Sequence, residues 1–308
     1  MITTVIGFII GLVLLLKGAD YFVGGGSGLA ARFKVSPTLI GFTVIAFGTS
    51  MPELVVNINA AFLNTPEIAL GNVLGSNIAN IALVLALCAI INPRVLRQEK
   101  PAGNGGVVNE LNLMLGAAVI FALLALRMQI DLFAGIIFLV CFAIVMWLLW
   151  KNLKAEETPI KSHGWRDYVE TIGGLAGVII GANLLVGAST EIATLLGISP
   201  FVIGMTMVAV GTSLPELATS VVAIMRGQGG ISVGNVLGSN IFNLLFIMGV
   251  TAFVAPIPIG SYADVVAVLL FSAAAIPFFV KSVSFRRYWG VVILAAYAAY
   301  MLYLFGFF

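Results

Sequence analysis

Gly71-Asn72-Val73-Leu74-Gly75-Ser76-Asn77-Ile78 occurs twice in the chain, letter for letter, the second time from Gly234 to Ile241. The match widens on both sides at one constant offset of 163. Ser36-Pro37 returns as Ser199-Pro200, Gly48-Thr49-Ser50 as Gly211-Thr212-Ser213, and Pro52-Glu53-Leu54 as Pro215-Glu216-Leu217. About half of the positions from Ser36 to Asn80 equal their partners, and Gly18-Ala19 is echoed by Gly181-Ala182. Agreement at a fixed offset over this length marks an internal duplication.

Both copies lie in apolar sequence. Of 308 residues, 61% are hydrophobic and only 9% charged, and the mean hydropathy is +1.13. Soluble domains carry roughly 25% charged residues, so a secreted enzyme and a disordered scaffold are both excluded. A net charge of +2 argues against a nucleic-acid partner. Runs of about 20 apolar residues have the length that crosses a hydrocarbon core of roughly 30 Å. The expected class is an all-α integral membrane protein. Met1-Ile2-Thr3-Thr4 lacks the charged start of a cleaved signal peptide, and its apolar run is followed by others, so it reads as the first membrane helix. Cys88 and Cys141 fall within apolar spans and read as small buried hydrophobes, not as a disulfide or redox pair.

Ten spans are expected near 2–24, 36–62, 68–91, 110–126, 130–150, 168–188, 199–225, 231–255, 262–281 and 288–306. The polar interruption from Lys151 to Arg166 divides them into a first five-helix repeat, 1–150 with its motif at 41–80, and a second, 167–308 with its motif at 204–243. An odd number of spans per copy makes the second copy enter from the opposite face, the inverted arrangement characteristic of secondary transporters. Lys and Arg near helix ends stay in the cytoplasm. With ten spans, one face receives thirteen of them, from Arg32 to Arg287, and the other Arg127 alone, with Lys17 inside the first span. Both termini are therefore expected outside a cell membrane, and the 151–166 linker in the cytoplasm.

Glu53 and Glu216 are the anomaly. Each lies deep in an apolar span, where a charge costs at least about 2.5–3.5 kcal/mol on insertion scales. No Lys, Arg or His occurs between Ser36 and Asn92, and between Ser199 and Ala255 there is only Arg226, in a loop. Lys17 is the remaining basic residue within a span, and Asp20 one turn on could pair with it, although snorkelling to the interface suits Lys17 better. The carboxylates are left to meet protons or dissolved cations. Ala46, Thr49 or Ser50, and Glu53 share one helical face, as do Ala209, Thr212 or Ser213, and Glu216. Pro52 and Pro215 lack the N–H that would bond the carbonyls of Gly48 and Gly211, so each helix should break beside its own Glu. The next span of each copy carries a polar stripe, Asn72, Ser76 and Asn80 in one and Asn235, Ser239 and Asn243 in the other, and Gly71 and Gly75 are expected to allow close helix approach.

Carboxylate, hydroxyl, amide and carbonyl oxygens suit hard cations, Ca2+ above all, and the same donors bind Na+. Softer metals call for His or Cys, and His163 sits in the linker. Mg2+ keeps its waters and is served poorly by such a cage. A charge of −2 is neutralised by one Ca2+, by two Na+ or by two protons. If the pocket does not cross empty, that common requirement couples the flows in exchange.

The duplicated G-T-S-x-P-E followed by G-N-V-L-G-S-N-I-x-N resembles the two repeats of the cation/calcium exchanger superfamily, and specifically prokaryotic sodium/calcium exchangers. The likeness covers essentially the whole chain. It implies ten helices in two inverted five-helix repeats with discontinuous second, third, seventh and eighth helices, and sliding of the first and sixth helices for alternating access. It implies that Glu53 and Glu216 are shared Ca2+ and Na+ ligands, that Thr49 and Thr212 give oxygens to Ca2+, and that Ser76, Ser239 and the carbonyls of Ala46 and Ala209 hold Na+ on either side. Asn80 and Asn243 complete the middle, and Ser50 and Ser213 belong to the same faces. Some members carry Asp where this chain has Asn243, which removes one titratable group here. The implied activity is Na+/Ca2+ antiport; H+/Ca2+ or K+-dependent exchange with the same carboxylates is the alternative, ahead of a passive channel. No H-E-x-x-H occurs, and the polar residues are duplicated symmetrically where catalysis usually needs unlike partners, so no enzyme is expected. No cofactor is implied beyond the transported Ca2+ and Na+. The lipid bilayer is the one surrounding partner, no protein partner is implied, and a monomer is compatible with the sequence.

Overall fold

The structure, a computed structural model, describes residues 2–96, 110–152, 161–197, 211–280 and 282–304. Nearly all of these residues are helical, as the periodic apolar sequence predicts. The elements are α1 (Ile2–Phe33), α2 (Pro37–Thr49), α3 (Met51–Phe62), α4 (Pro66–Ile91), α5 (Glu110–Ala125), β1 (Gln129–Ile130), α6 (Leu132–Asn152), α7 (Trp165–Leu195), α8 (Leu214–Met225), α9 (Gly229–Val254), β2 (Ile257–Pro258), α10 (Tyr262–Ala273), α11 (Ile276–Val280) and α12 (Val283–Leu304). Six of these spans are long and apolar enough to cross a membrane, and the bent pair α2–α3 makes a seventh; α5 and α8 are apolar but shorter. The first half of the span expected at 199–225 lies outside the described residues.

Pro52 acts where the sequence placed it. The helix axis turns by 43° between Thr49 and Met51, and Ser50, at φ −85° and ψ 4°, is the joint. The second copy repeats the joint at Ser213, with φ −86° and ψ 0°, immediately before α8. The third and eighth spans differ from expectation. Neither breaks: α4 and α9 each run 26 residues. Each contains a π-helical turn instead, Asn80–Leu85 in α4 and Phe242–Ile247 in α9. No proline stands within either motif to force a break, and an inserted residue is accommodated as a wider turn, a feature frequent at functional sites.

The largest core joins α4 and α9 to α5, α6, α10 and α12, with Phe121, Phe138, Leu85 and Met248 fully buried. Between α5 and α6, and again between α9 and α10, the chain turns back through a two-residue antiparallel ladder that pairs Gln129 with Pro258 and Ile130 with Ile257. Outside this core lies an antiparallel pair, α1 and α7. Glycines let the two backbones touch: a Cβ at Gly18 would stand 2.5 Å from the Val178 nitrogen, and one at Gly25 2.5 Å from the Thr171 nitrogen. Smaller clusters join this pair to the rest, Leu15, Ala19 and Ala218 in one and Phe22, Ile40, Ile45 and Ala223 in the other. The opposite faces expose Ile6, Ile9, Val13, Ile172 and Ile180, an apolar exterior suited to lipid.

Asp20 does not pair with Lys17, which is exposed; it binds Arg226 at 2.6 Å, across from α1 to the turn after α8. In the second copy the octapeptide's glycines admit a close approach: a Cβ at Gly234 would lie 2.7 Å from the Phe42 nitrogen, and one at Gly238 2.7 Å from the Phe42 oxygen. The corresponding neighbours of Gly71 and Gly75 in the first copy, residues 201–209, lie outside the described residues. Cys88 and Cys141 are free thiols, the first buried.

Candidate ion-binding site

The bend before α3 and the joint before α8 bring the two carboxylates to the centre of the helix assembly. Glu53 is 0% exposed and Glu216 1%. Each sits in the first turn of its helix, where unpaired N–H groups and the helix dipole favour negative charge. Each also lies within electrostatic reach of the other. Among the described residues no Lys, Arg or His forms an ion pair with either; Arg226, Arg127 and Arg166 pair with Asp20, Asp131 and Glu170 instead.

What surrounds the carboxylates is neutral oxygen, drawn crosswise from both copies. Ser76 on α4 donates to Glu53 Oε1 at 3.5 Å and stands 3.5 Å from the Thr212 hydroxyl. Ser239 on α9 donates to Glu216 Oε1 at 3.4 Å and stands 3.5 Å from the Thr49 hydroxyl. Ser50 donates to Glu216 Oε1 at 3.3 Å, so one copy's joint touches the other copy's acid. Asn80 donates to Asn240 Oδ1 at 3.0 Å, next to the π turn that begins with it. The second oxygens of both acids, Glu53 Oε2 and Glu216 Oε2, find no hydrogen-bond partner among the described residues; neither do Asn80 Oδ1, Ser213 Oγ and both polar atoms of the Asn243 amide. Unpaired buried polar atoms are expensive, and these oxygens are of the kind that a hard cation accepts as ligands.

Most of the expected set is thus assembled: Glu53, Glu216, Thr49, Thr212, Ser50, Ser76, Ser239 and Asn80 are linked by the contacts above. Asn243 and Ser213 are buried beside them on α9 and at the α8 joint. The Ala46 carbonyl already accepts the Ser50 N–H at 3.0 Å, leaving it one lone pair. Ala209 lies outside the described residues.

The sequence reading passed over four side chains that hold this cluster. Asn57 and Ser220 accept from Asn72 at 2.7 Å and from Asn235 at 2.9 Å. Both stand four residues beyond a Glu, so extending the polar face by one turn finds them. Asn77 and Asn240 lie inside the quoted octapeptide. Asn77 bonds the Val73 carbonyl at 2.7 Å, and Asn240 donates to the Asn77 carbonyl at 3.3 Å, tying α9 to α4.

Comparison with known proteins adds the context. The family described as sodium/calcium exchanger protein matches residues 3–151 and 168–306. An uncharacterised membrane protein of Methanocaldococcus jannaschii is 38% identical over 299 residues, 94% of each chain. The sodium/calcium exchanger MaX1 of Methanosarcina acetivorans is 30% identical over 346 aligned positions, 96% of this chain and 97% of that one. Among solved structures, the sodium-calcium exchanger NCX_Mj, soaked with 2.5 mM Na+ and 0.1 mM Ca2+, superposes with a TM-score of 0.84 at 34% identity, covering 98% of both chains.

Proposed function

The chain belongs to the sodium/calcium exchanger protein family, and from that premise we propose that Glu53 and Glu216 are the shared ligands through which it exchanges Na+ for Ca2+ across the cell membrane. One observation carries the reading: two buried carboxylates lie within electrostatic reach of one another among neutral oxygens, with no basic partner among the described residues. A bare buried ion costs several kcal/mol even after relaxation. Two of them make an empty pocket a poor traveller between the two faces of the membrane. One Ca2+ or a set of Na+ supplies the missing charge, so either cargo permits the crossing and its absence forbids it. Obligatory exchange follows from that single constraint, with alternating access as its vehicle.

Thr49, Thr212 and the two acids surround the Ca2+ position. Ser76, Ser239, Ser50, Ser213 and the carbonyls of Ala46 and Ala209 serve Na+ on the flanks, and Asn80 and Asn243 close the middle as neutral oxygen donors. Ten spans in two inverted repeats, both termini outside and a cytoplasmic 151–166 linker complete the reading. It is supported by the basic residues, thirteen against one between the two faces.

Radioactive Ca2+ uptake into proteoliposomes tests it, with Na+, K+ and H+ gradients imposed in turn and the membrane potential clamped. An outward Na+ gradient is expected to drive uptake, and Glu53→Gln and Glu216→Gln each to abolish it while leaving expression and the elution profile unchanged. Full exchange in either variant removes that residue from the site, and uptake driven by a pH or K+ gradient alone reassigns the counter-ion.

A further inference from the structure

The hydroxyls of Thr49 and Thr212 face a choice that decides whether they can serve a cation at all. A hydroxyl has one proton and two lone pairs. If the proton points into the pocket it repels a metal ion, and if it points away the lone pairs are free to ligate. Something outside the pocket must take that proton.

Two buried amides are placed to do so. Asn72 Nδ2 lies 3.4 Å from the Glu53 backbone carbonyl and 2.7 Å from Asn57 Oδ1. A carbonyl only accepts, so the amide nitrogen must be the atom facing it, and the orientation of the amide is fixed by chemistry. Its oxygen is then left for Thr212, whose hydroxyl donates to Asn72 Oδ1 at 3.3 Å. The second copy repeats each step. Asn235 Nδ2 lies 3.4 Å from the Glu216 carbonyl and 2.9 Å from Ser220 Oγ. Its oxygen accepts from the Thr49 hydroxyl at 3.0 Å, shorter than that hydroxyl's approaches of 3.4 Å to the Ala46 carbonyl and 3.5 Å to the Ser239 hydroxyl; Glu216, within reach of the same hydroxyl, is the acceptor inside the pocket that the amide must outcompete. Asn72 is 4% exposed and Asn235 0%, so water does not compete for the proton.

The wiring is crossed. Asn72 belongs to the first copy and grips the first copy's Glu53 backbone, yet it receives the second copy's threonine; Asn235 does the reverse. We propose that Asn72 and Asn235 are positioning residues that draw the Thr212 and Thr49 protons out of the pocket, so that each hydroxyl presents its lone pairs to the bound Ca2+. Neither amide touches the ion. Each sets what the threonine of the other half can offer it.

This inference rests on the assignment of Thr49 and Thr212 as Ca2+ ligands, and the test separates the two. Asn72→Leu removes the acceptor at similar volume, and the Ca2+ KM of Na+-driven uptake is expected to rise about tenfold, the worth of one lost orienting hydrogen bond, with the Na+ dependence moved much less. In a double-mutant cycle, Asn72→Leu combined with Thr212→Val is expected to match Thr212→Val alone within about twofold. Asn72→Leu combined with Thr49→Val is expected to multiply the two single effects, since that threonine answers to Asn235. Asn72→Gln keeps an amide oxygen for Thr212 without adding charge, and its KM is expected to lie nearer the parent than that of Asn72→Leu, which also supplies a reading if the leucine variant fails to fold. Equal coupling of Asn72 to both threonines overturns the proposal, as does a KM in Asn72→Gln raised as far as in Asn72→Leu or an equal loss of Na+ and Ca2+ affinity. Glu53→Gln, assayed alongside, keeps the outcomes apart: its full activity refutes the site, whereas its inactivity with an unchanged Asn72→Leu refutes the amides alone.

Discussion

Two neighbouring glycines of α7 offer a controlled test of how the outer helix pair is held. Gly173 is exposed and nothing among the described residues lies within 4 Å of a Cβ built there. Gly174 is buried, and its Cβ would stand 2.7 Å from the Phe22 Cα and 2.8 Å from the Gly18 carbonyl oxygen. Both obstacles are backbone of α1 and cannot swing aside. Ordinary carbon contacts lie near 3.5–4.0 Å, so Gly174→Ala must push α1 and α7 apart by about 1 Å. Overpacking of that kind costs about 1–3 kcal/mol, and a gap of that width forfeits a quarter to a half of each dispersion contact along the seam. Against this, alanine gains about 1 kcal/mol over glycine within a helix, and Gly173→Ala keeps that gain in full. The two variants should therefore differ by about 1–3 kcal/mol in stability. At about 2 °C per kcal/mol for a chain of this size, that is roughly 2–6 °C between their melting temperatures in detergent, scanned at one fixed rate, with Gly173→Ala the higher. Equal melting temperatures, or Gly174→Ala the more stable, would refute the seam as drawn and with it the close passage of the two backbones.

Other consequences are quickly checked. The Asp20–Arg226 pair is half exposed on both sides, 41% and 35%, so Asp20→Asn should lower stability by less than about 1 kcal/mol and by less still at high salt, read as the melting shift at two ionic strengths. Lys17 is exposed and forms no ion pair with either acid among the described residues, so Lys17→Gln should leave Na+-driven Ca2+ uptake within twofold of the parent; loss of uptake would give Glu53 or Glu216 the basic partner that the site as described lacks.

Much of this was legible in the residues because the duplication acts as its own control. Glu53 alone reads as an oddity, but Glu53 and Glu216 with matching prolines and matching stripes read as a site. The bend at Ser50 follows from Pro52, whose missing N–H is a local fact that no distant contact can repair. Other features were hidden because they depend on what a helix meets, which local sequence does not carry. Asp20 has Lys17 one turn away, but Arg226, distant by two hundred residues, reaches it first at 2.6 Å. The π turns in α4 and α9 have no proline or glycine at their start to announce them, and the breaks expected there came from the family resemblance and not from the residues.

The crossed contacts bind the two copies to each other. Neither copy holds a finished half of the pocket. Glu53 takes its serine from its own copy, but the threonine beside that serine belongs to the other. Glu216 is reached by Ser50 from across the seam. The copies are therefore interdependent, and any motion that displaces one against the other changes both acids at once. Within this nearly symmetric set, the buried polar residues of α3 and α8 diverge at two adjacent places: Asn57 stands opposite Ser220, and Val56 opposite Thr219. Asn57 keeps an amide nitrogen, and Thr219 a hydroxyl, without a partner among the described residues. Identical halves would meet the two faces of the membrane with identical chemistry. Here the groups that accept from Asn72 and Asn235 are an amide oxygen on one side and a hydroxyl on the other, so the two ends of the same pocket rest on unequal acceptors.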